Sequence, residues 1–206
     1  MNSTVILNKV IDDKTSKLTM LVGRTLVGKT TLMLDFFKDA IRKNIPTLFF
    51  SLELSKQQVI DKIVTVKEDK MFISNTNYIE DIYSKSKKLK HDADIQLILI
   101  DSITELKIKE NICLGRGDIV SIMIKQLKEL AQELDVQIVV TAPANITTKQ
   151  FKNDPTKTLS YFCKKETAKD YVDTIVLLER DKKNNQIMLF EQHLTNRPIR
   201  EVLEQL

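Results

Sequence analysis

Hydrophobic and polar residues follow one another in blocks along this chain, and the spacing inside each block predicts secondary structure. Short apolar runs have the length of buried strands, and they occur at 18–22, 47–53, 71–74, 95–101, 136–141, 172–178 and 186–190. Between several of these runs, apolar residues recur at the spacing of one helix face. This spacing is clearest at Leu32, Met33, Phe36, Phe37, Ala40 and Ile41, and at Val120, Met123, Leu127, Leu130, Ala131 and Leu134. Strands that alternate with helices predict an α/β fold with a mostly parallel, twisted sheet flanked by helices.

Two stretches depart from this alternation. Residues 103–117 have the pattern of a loop, and residues 142–169 show neither helix nor strand spacing. The second stretch holds six lysines against two acidic residues, so it carries a net charge of +4, which equals the net charge of the whole chain. Basic loops of this kind suit contacts with nucleic-acid phosphates. We therefore expect nucleic-acid contacts from Lys149, Lys152 and Lys157.

The run Gly23-Arg-Thr-Leu-Val-Gly28-Lys29-Thr30 joins the first predicted strand to the first predicted helix. It has the form G-x-x-x-x-G-K-[ST] of the P-loop, in which backbone N–H groups and a helix N-terminus cradle phosphates. Gly23 and Gly28 are expected to supply the φ values of a tight loop. Lys29 is predicted to reach the β- and γ-phosphates, and Thr30 to place its hydroxyl on Mg²⁺. The predicted cofactors are thus ATP and Mg²⁺, and the predicted nucleotide contacts are Gly23, Arg24, Thr25, Leu26, Val27, Gly28, Lys29, Thr30 and Thr31.

The predicted strand 95–101 ends in an acidic residue, Asp101. In a P-loop protein, this is the form of the Walker B strand, whose acid lies at the carboxyl edge of the sheet. There it can hold the water shell of Mg²⁺, so Thr30 and Asp101 are the predicted metal-binding residues. The alternative is that Asp101 only caps the turn that follows the strand.

Composition narrows the class of protein without identifying it. A chain of 206 residues with 42% hydrophobic and 29% charged residues is typical of a soluble globular domain. No apolar run approaches the roughly 18 residues of a membrane span, and the first residues lack the architecture of a signal peptide. We therefore expect a cytoplasmic protein without a membrane partner. Cys113 and Cys163 form no C-x-x-C motif, so reduced thiols are expected rather than a zinc site.

Five segments, taken together in their order, resemble the ATPase domain of DnaB-like replicative helicases, a branch of the RecA-like P-loop proteins. They are GRTLVGKTTLML, FFSLELS, LILIDS, GRGDIVSIMIKQLKELAQELDVQIVV and DTIVLLERD, and the similarity runs from about residue 18 to residue 198. The resemblance implies a single RecA-like ATPase domain over residues 1–206. It implies that Glu53 activates the attacking water, so that Glu53 and Lys29 are the catalytic residues. The alternative for Glu53 is a cap of the helix that begins at Ser55.

The resemblance also implies partners. Proteins of this family act on DNA, so single-stranded DNA is the expected partner. They form rings, so a homo-oligomer, hexameric by resemblance, or a contact with another replication protein is expected. In the family, DNA contacts come from loops that face the ring channel, and residues 142–169 include the matching region.

Three features depart from the family pattern. The first strand is predicted at residue 18, so the N-terminal helical domain and linker helix of the family are not expected here. The strand at 136–141 is followed by Ala-Pro-Ala-Asn, where the family usually has a Gln that senses the γ-phosphate. The Lys-Gln-Arg motif of the family corresponds to Glu191-Gln192-His193, which leaves Arg197 as a possible finger for the ATP of a neighbouring subunit.

The sequence is compatible with three functional hypotheses. The first is an ATP-hydrolysing helicase or translocase core that acts on DNA in replication or recombination. The second is a non-motor module, in which ATP occupancy switches the binding of DNA or a partner with little or no hydrolysis. The missing basic finger favours the second, because such a finger contributes on the order of 10³–10⁵ in rate to related phosphoryl transfers. A small-molecule P-loop kinase is a third possibility, and FFSLELS and the helix at 118–134 argue against it.

Overall fold

The structure, a computed structural model, describes residues 17–63, 70–109, 114–159, 163–164, 170–180, 187–194 and 200–202. Its strands are β1 (Leu18–Gly23), β2 (Thr47–Ser51), β3 (Met71–Ser74), β4 (Leu97–Asp101), β5 (Gln137–Pro143), β6 (Thr174–Arg180), β7 (Ile187–His193) and β8 (Arg200–Val202). They form one sheet in the order β3-β2-β4-β5-β1-β6-β7-β8. The strands from β3 to β6 in this order are parallel, and β7 and β8 are antiparallel to their neighbours. The predicted mostly parallel sheet is confirmed.

Helices cover both faces of this sheet. They are α1 (Lys29–Arg42), α2 (Lys56–Ile63), α3 (Ile79–Ala93), α4 (Arg116–Glu133) and α5 (Thr148–Asn153). Residues of α1 and α2 share one apolar cluster with the sheet, and residues of α3, α4 and α5 share a second cluster with it. The described part of the chain is therefore a three-layer arrangement with a core on each side of the sheet.

The continuous apolar runs of the sequence exist because the parallel strands are buried on both faces. Along β4, Leu97 and Leu99 belong to the cluster of α1 and α2, whereas Ile98 and Ile100 belong to the cluster of α3 to α5. Neighbouring side chains of a strand point to opposite faces, so both kinds of position must be apolar.

The strand order brings the predicted site segments to one edge. β1 lies between β5 and β6, and Gly23 at its end is paired with Pro143. β2 and β4 are neighbours, and Ser51 at the end of β2 is paired with Asp101 at the end of β4. Because these strands are parallel, the segments that follow β1, β2, β4 and β5 all leave the sheet at its carboxyl edge.

The prediction that residues 142–169 are irregular is wrong in part. β5 extends to Pro143, and α5 and a 3-10 turn at Pro155–Thr158 follow. Lys149 and Lys152 therefore lie on a helix and Lys157 on the 3-10 turn, not on an aperiodic loop. A six-residue helix spans less than two turns, so no apolar period can be seen in it. Its start carries a capping box between Thr147 and Gln150, a signal that was present in the sequence.

Other boundaries also shift. The strand predicted at 47–53 ends at Ser51, so Glu53 lies in the connection to α2. A 3-10 turn at Ile103–Glu105 occupies part of the predicted loop 103–117, and β8 was not predicted. In the described part of the chain, no helix is both long and apolar enough to cross a membrane.

Candidate nucleotide-binding site

The loop between β1 and α1 has the backbone of a phosphate cradle. Gly28 has φ of 110° and Leu26 has φ of 64°, so both lie in the left-handed region. Gly28 precedes α1, and among the described residues no side chain caps the start of this helix and no acid lies in its first turn. The N–H groups at the beginning of α1 are therefore available to an anion, and the helix dipole favours negative charge there.

The two glycines of this loop are required for different reasons. A Cβ atom on Gly23 would lie 2.7 Å from the carbonyl oxygen of Leu178 on β6. Gly23 thus allows a close approach of two strands, and the expectation that it supplies an unusual φ is wrong. Gly28 does supply a positive φ, and a Cβ atom there would also lie 3.1 Å from Cδ1 of Ile187.

The ammonium group of Lys29 lies over the loop. Its Nζ donates to the carbonyl oxygens of Gly23 at 3.0 Å and of Arg24 at 2.9 Å. Burial lowers the pKa of Lys29 below its ordinary value, and the negative charges of Asp101 and Glu53 oppose that shift. The sequence-predicted Lys29, Asp101 and Glu53 are therefore close enough to interact, although Lys29 forms no hydrogen bond with either carboxylate.

Asp101 is the most buried acid of this group, with 2% of its surface exposed. One carboxylate oxygen, Oδ1, accepts a hydrogen bond of 2.5 Å from the hydroxyl of Thr141, which is itself buried. Ile100 is paired with Val140, so Asp101 and Thr141 are neighbours one residue further along β4 and β5. Among the described residues, nothing donates to the other oxygen, Oδ2. Thr141 thus orients Asp101 and leaves one oxygen for a ligand.

The contacts of Asp101 argue against the alternative that it only caps the following turn. The 3-10 turn at Ile103–Glu105 that follows is preceded by Ser102, and no cap bond from a side chain is present at that position. Ser102 Oγ instead shares a hydrogen bond of 2.6 Å with Thr104 Oγ1.

Glu53 lies on the wall of the cleft above the P-loop. The cleft has a volume of about 430 Å³, and its walls combine P-loop residues with the ends of three other segments, Glu53, Ser102, Thr104 and Pro143. The side chain of Glu53 is exposed and accepts no hydrogen bond from the described residues. The cap of α2 that was an alternative role for Glu53 is formed by a capping box of Ser55 and Gln58 instead.

Sequence reasoning missed several polar groups of this edge. The Thr141–Asp101 bond joins two segments through the strand order, which no local pattern reveals, and the Ser102–Thr104 pair lies within the turn that follows β4. A second cleft of about 700 Å³ adjoins the first and was not predicted. It shares Thr25, Thr104 and Pro143 with the first cleft and adds two arginines, Arg24 and Arg116.

Comparison with known families gives this cleft its context. The profile of the DnaB-like helicase C-terminal domain matches residues 7–74 and 63–199. The chain belongs to this family. It is 26% identical over 194 residues to the replicative DNA helicase DnaB of Leifsonia xyli subsp. xyli, and 26% identical over 195 residues to that of Mycobacterium intracellulare. These matches span 79% and 78% of this chain but only 42% and 33% of the two helicases.

Solved structures confirm the RecA-like fold of this DnaB-like domain. One solved ATPase domain superposes with a TM-score of 0.76 at 17% identity, over 98% of this chain and 86% of that one. A DnaB-like replicative helicase, studied with its interactions with primase, gives 0.71 at 18% identity over 91% of this chain and 55% of that one. A KaiC-like protein from Pyrococcus horikoshii OT3 gives 0.63 at 16% identity, over 92% and 83% of the two chains.

The predicted nucleic-acid residues of this DnaB-like domain do not line the nucleotide cleft. Lys149, Lys152 and Lys157 are exposed beyond β5. The Nζ of Lys152 lies 5.2 Å from the ring centroid of Phe190 on β7. The hydroxyl of Thr148 at the start of α5 donates to the carboxylate of Glu179, near the end of β6.

Residues 191–193 of this DnaB-like domain lie away from their own P-loop. Thr174, the first residue of β6, is paired with His193, so the end of β7 is at the amino edge of the sheet. His193 Nε2 lies 3.4 Å from a carboxylate oxygen of the buried Glu191, and its Nδ1 lies 2.9 Å from the hydroxyl of Thr174. Arg197 lies outside the described residues.

Proposed function

We propose that this chain is the ATP-binding and ATP-hydrolysing core of a DnaB-like helicase or translocase that acts on DNA in replication or recombination. One observation carries the proposal. Lys29, Asp101 and Glu53 come from three separate segments of the chain that end at the carboxyl edge of the sheet. Lys29 and Glu53 line one cleft there, and the negative charge of Asp101 is close enough to act on the pKa of Lys29. A lysine, a buried acid and an exposed acid are the groups that binding and hydrolysis of a nucleoside triphosphate require.

Residues Gly23 to Thr31 hold the triphosphate in this proposal. The N–H groups at the start of α1 donate hydrogen bonds to phosphate oxygens. Lys29 then donates to the β- and γ-phosphates in place of the two carbonyl oxygens. A phosphate oxygen is a stronger acceptor for an ammonium group than a neutral carbonyl, because both partners are then charged. We therefore expect Lys29 to leave these two carbonyl oxygens when a triphosphate binds.

The donor set fits a magnesium ion. The described residues contain no group of three or more His, Cys, Asp or Glu side chains that could hold a metal by themselves. Mg²⁺ is usually bound through one or two protein oxygens together with substrate phosphates and waters. The hydroxyl of Thr30 and the Oδ2 oxygen of Asp101 provide hard oxygen ligands of this type. When bound, the ion would neutralise charge on the phosphates.

Glu53 orients the attacking water and accepts its proton. Its carboxylate is exposed, it lines the cleft, and no described donor occupies its oxygens. A base that is already saturated with hydrogen bonds could not take up this role without losing them. The geometry of Glu53 therefore supports general-base or water-positioning work.

DNA binding and assembly belong to the same proposal. Lys149, Lys152 and Lys157 lie on the exposed α5 and the turn beyond it, and they would contact phosphates of single-stranded DNA. The family relation supports a ring of subunits, contacts with other replication proteins, and an Arg197 that acts on the ATP of a neighbour. Glu191 to His193 lie at the sheet edge opposite the P-loop of their own chain, so this region would serve a neighbouring site rather than its own.

A specific observation favours the non-motor module as a second candidate. Where the family has a lysine and an arginine for the neighbouring ATP, this chain has a buried Glu191 in contact with His193. Thr141 ends the predicted strand and is engaged with Asp101, and no glutamine follows it before Gln150. In this candidate, ATP occupancy switches the binding of DNA or a partner while turnover is minimal.

One experiment separates the two candidates. ATP turnover and particle mass, the latter by light scattering, are measured with and without ATP and single-stranded DNA. Turnover that DNA stimulates, together with a ring-sized particle, would support the motor. ATP binding by a monomer without turnover would support the module and contradict the hydrolytic proposal.

A further inference from the structure

The backbone of residues 52–55 determines where Glu53 lies. This segment joins the end of β2 to the start of α2 and belongs to neither element. Because no described residue donates a hydrogen bond to the Glu53 carboxylate, its position depends on how firmly this short segment is held. The contacts that hold the segment are therefore part of the site.

Asn75 contacts both ends of this segment. Its Nδ2 donates to the carbonyl oxygen of Ser51 at 2.5 Å and to that of Leu54 at 2.8 Å. Its Oδ1 accepts from the backbone N–H of Lys56 at 3.1 Å, at the first residue of α2. Two carbonyls can only accept and the N–H can only donate, so the three partners determine the orientation of the amide. A single side chain thus binds residues before and after Glu53.

The sheet places Asn75 for this contact. Phe50 of β2 is paired with Ser74 of β3, so Asn75 follows β3 at the point where Ser51 ends β2. Two further bonds support the same segment. The hydroxyl of Ser51 donates to Leu54 O at 2.8 Å, and Leu52 N donates to the carbonyl oxygen of Asp101 at 2.8 Å. Hydrogen bonds therefore fix the segment that carries Glu53 at two places. Asn75 connects it to the end of β3, and Leu52 connects it to Asp101, the predicted metal-binding residue.

We propose that Asn75 is a positioning residue for ATP hydrolysis, which holds the 52–55 segment so that Glu53 faces the γ-phosphate position. This role rests on the proposed function of Glu53. Asn75 does not line the nucleotide cleft, so it acts through Glu53 and not on the nucleotide. A displacement of a reacting group by about 1 Å can cost on the order of 10²-fold in rate, which makes such a clamp consequential.

The test compares Asn75→Ala with Asn77→Ala. Asn77 lies two residues further along, and its side chain makes no hydrogen bond with the described residues. Asn75→Ala is expected to lower kcat by about 10- to 100-fold while the Kd for Mg²⁺-ATP stays within about twofold. Asn77→Ala is expected to keep both values. Asn75→Asp, which retains the acceptor for Lys56 but directs an anion at two carbonyls, is expected to be as slow as Asn75→Ala.

A double variant distinguishes positioning from a general structural role. If Asn75 acts through Glu53, then adding Asn75→Ala to Glu53→Gln should lower kcat little further. Hydrogen exchange of the amides in residues 52–55 should accelerate in Asn75→Ala and not in Asn77→Ala. A full additional loss in the double variant, or an unchanged kcat in Asn75→Ala, would overturn the role of Asn75 alone. Absence of turnover in the wild type would instead overturn the proposed hydrolysis, and this role with it.

Discussion

Two lysines of this domain lie near carboxylates at opposite edges of the same sheet, and their surroundings differ. At the amino edge, the Nζ of Lys128 on α4 lies 2.5 Å from both carboxylate oxygens of Asp173. Asp173 Oδ2 also accepts the backbone N–H of Lys17 at 2.7 Å and of Leu18 at 2.8 Å. The side chains of the pair are each 11% exposed. All these contacts tie α4 to the beginnings of β1 and β6.

At the carboxyl edge, the corresponding charges are left incompletely paired. Among the described residues, Lys29 Nζ donates to two carbonyl oxygens and to neither carboxylate, the carboxylate of Asp101 accepts one hydrogen bond, and the carboxylate of Glu53 accepts none. Removal of one partner from a buried, hydrogen-bonded ion pair destabilises a protein, because the other charge is then left buried without compensation. Charges that remain apart beside a cleft, with a lysine pKa lowered by burial, are instead available to a ligand. The charged groups at the amino edge have more hydrogen-bond partners than those at the carboxyl edge, and this difference distinguishes a structural ion pair from the candidate site.

The largest expected effect comes from removing the charge of Glu53. Glu53→Gln should lower kcat by about 10²- to 10⁴-fold, the range of a lost general base, with ATP affinity and thermal stability nearly unchanged. Steady-state turnover measures kcat, and nucleotide titration measures ATP affinity. Glu105→Gln, an exposed glutamate on the neighbouring 3-10 turn, is the control and should keep wild-type turnover. Equal turnover in both variants would move the catalytic role to another residue.

The opposite edge should respond in stability rather than in turnover. Lys128→Met leaves the Asp173 carboxylate buried without its cation, which should cost about 3 kcal/mol of unfolding free energy. Urea unfolding measures this loss, and ATP turnover below the melting range should be retained. The double variant Lys128→Met/Asp173→Asn should lose less than the sum of the single changes, because the uncompensated charge is gone. Wild-type stability in Lys128→Met would show that the saturated pair is not structural.

The exposed lysines of α5 and the turn after it differ from both edges of the sheet. Their charge is expected to favour DNA binding through the release of counterions from the phosphates. Binding of single-stranded DNA should weaken with salt at a logarithmic slope of roughly −2 to −3. The triple change of Lys149, Lys152 and Lys157 to Ala should flatten that slope and weaken binding equally for all sequences. The control changes three exposed lysines elsewhere, Lys43 just after α1 and Lys56 and Lys62 on α2, to Ala, and it should leave the slope as in the wild type. Absence of DNA binding by the wild type at low salt would contradict the proposed role of α5.

The smallest expected effect concerns the protonation of Lys29. Burial lowers its pKa in the free protein, and a bound triphosphate should raise it again by favouring the ammonium form. ATP binding at alkaline pH should therefore take up a fraction of a proton, and ATP affinity should fall as pH rises through the lowered pKa. Calorimetry in two buffers of different ionisation enthalpy measures the uptake, which should diminish as the pH falls below the lowered pKa, because Lys29 is then already protonated in the free protein. Equal enthalpies in both buffers at alkaline pH would argue against a perturbed Lys29.

The fold could be predicted from the sequence to a large extent, because its signals are local. The P-loop follows a strand and precedes a helix, and the apolar face predicted for α1 is buried from Leu32 to Ile41. Asp101 could be placed near the P-loop without contacts, since the carboxyl ends of parallel strands share one edge. Gln58 stands three residues after Ser55, which is the spacing of a capping box, and both hydrogen bonds of that box are present.

The contacts that could not be predicted join residues that are distant in the sequence and close in space. The contact of Thr141 with Asp101 joins residues 40 positions apart, and the clamp of Asn75 on Ser51 joins residues 24 positions apart. Both follow from the strand order, in which β4 separates β2 from β5 and β3 lies outside β2. The requirement for Gly23 has the same origin, because the carbonyl of Leu178 that approaches it belongs to β6. α5 was missed for a different reason, since a helix of six residues is too short to show a period.

Binding of Mg²⁺-ATP to Lys29→Ala is the measurement that tests the central claim most directly. The claim is that the incompletely paired charges at the carboxyl edge form a nucleotide site. Loss of charge-assisted bonds worth about 3 kcal/mol should weaken ATP about 100-fold. The variant should remain folded, because among the described residues the ammonium group of Lys29 donates hydrogen bonds only to two loop carbonyls. Unchanged ATP affinity in a folded Lys29→Ala protein would contradict the assignment of this cleft.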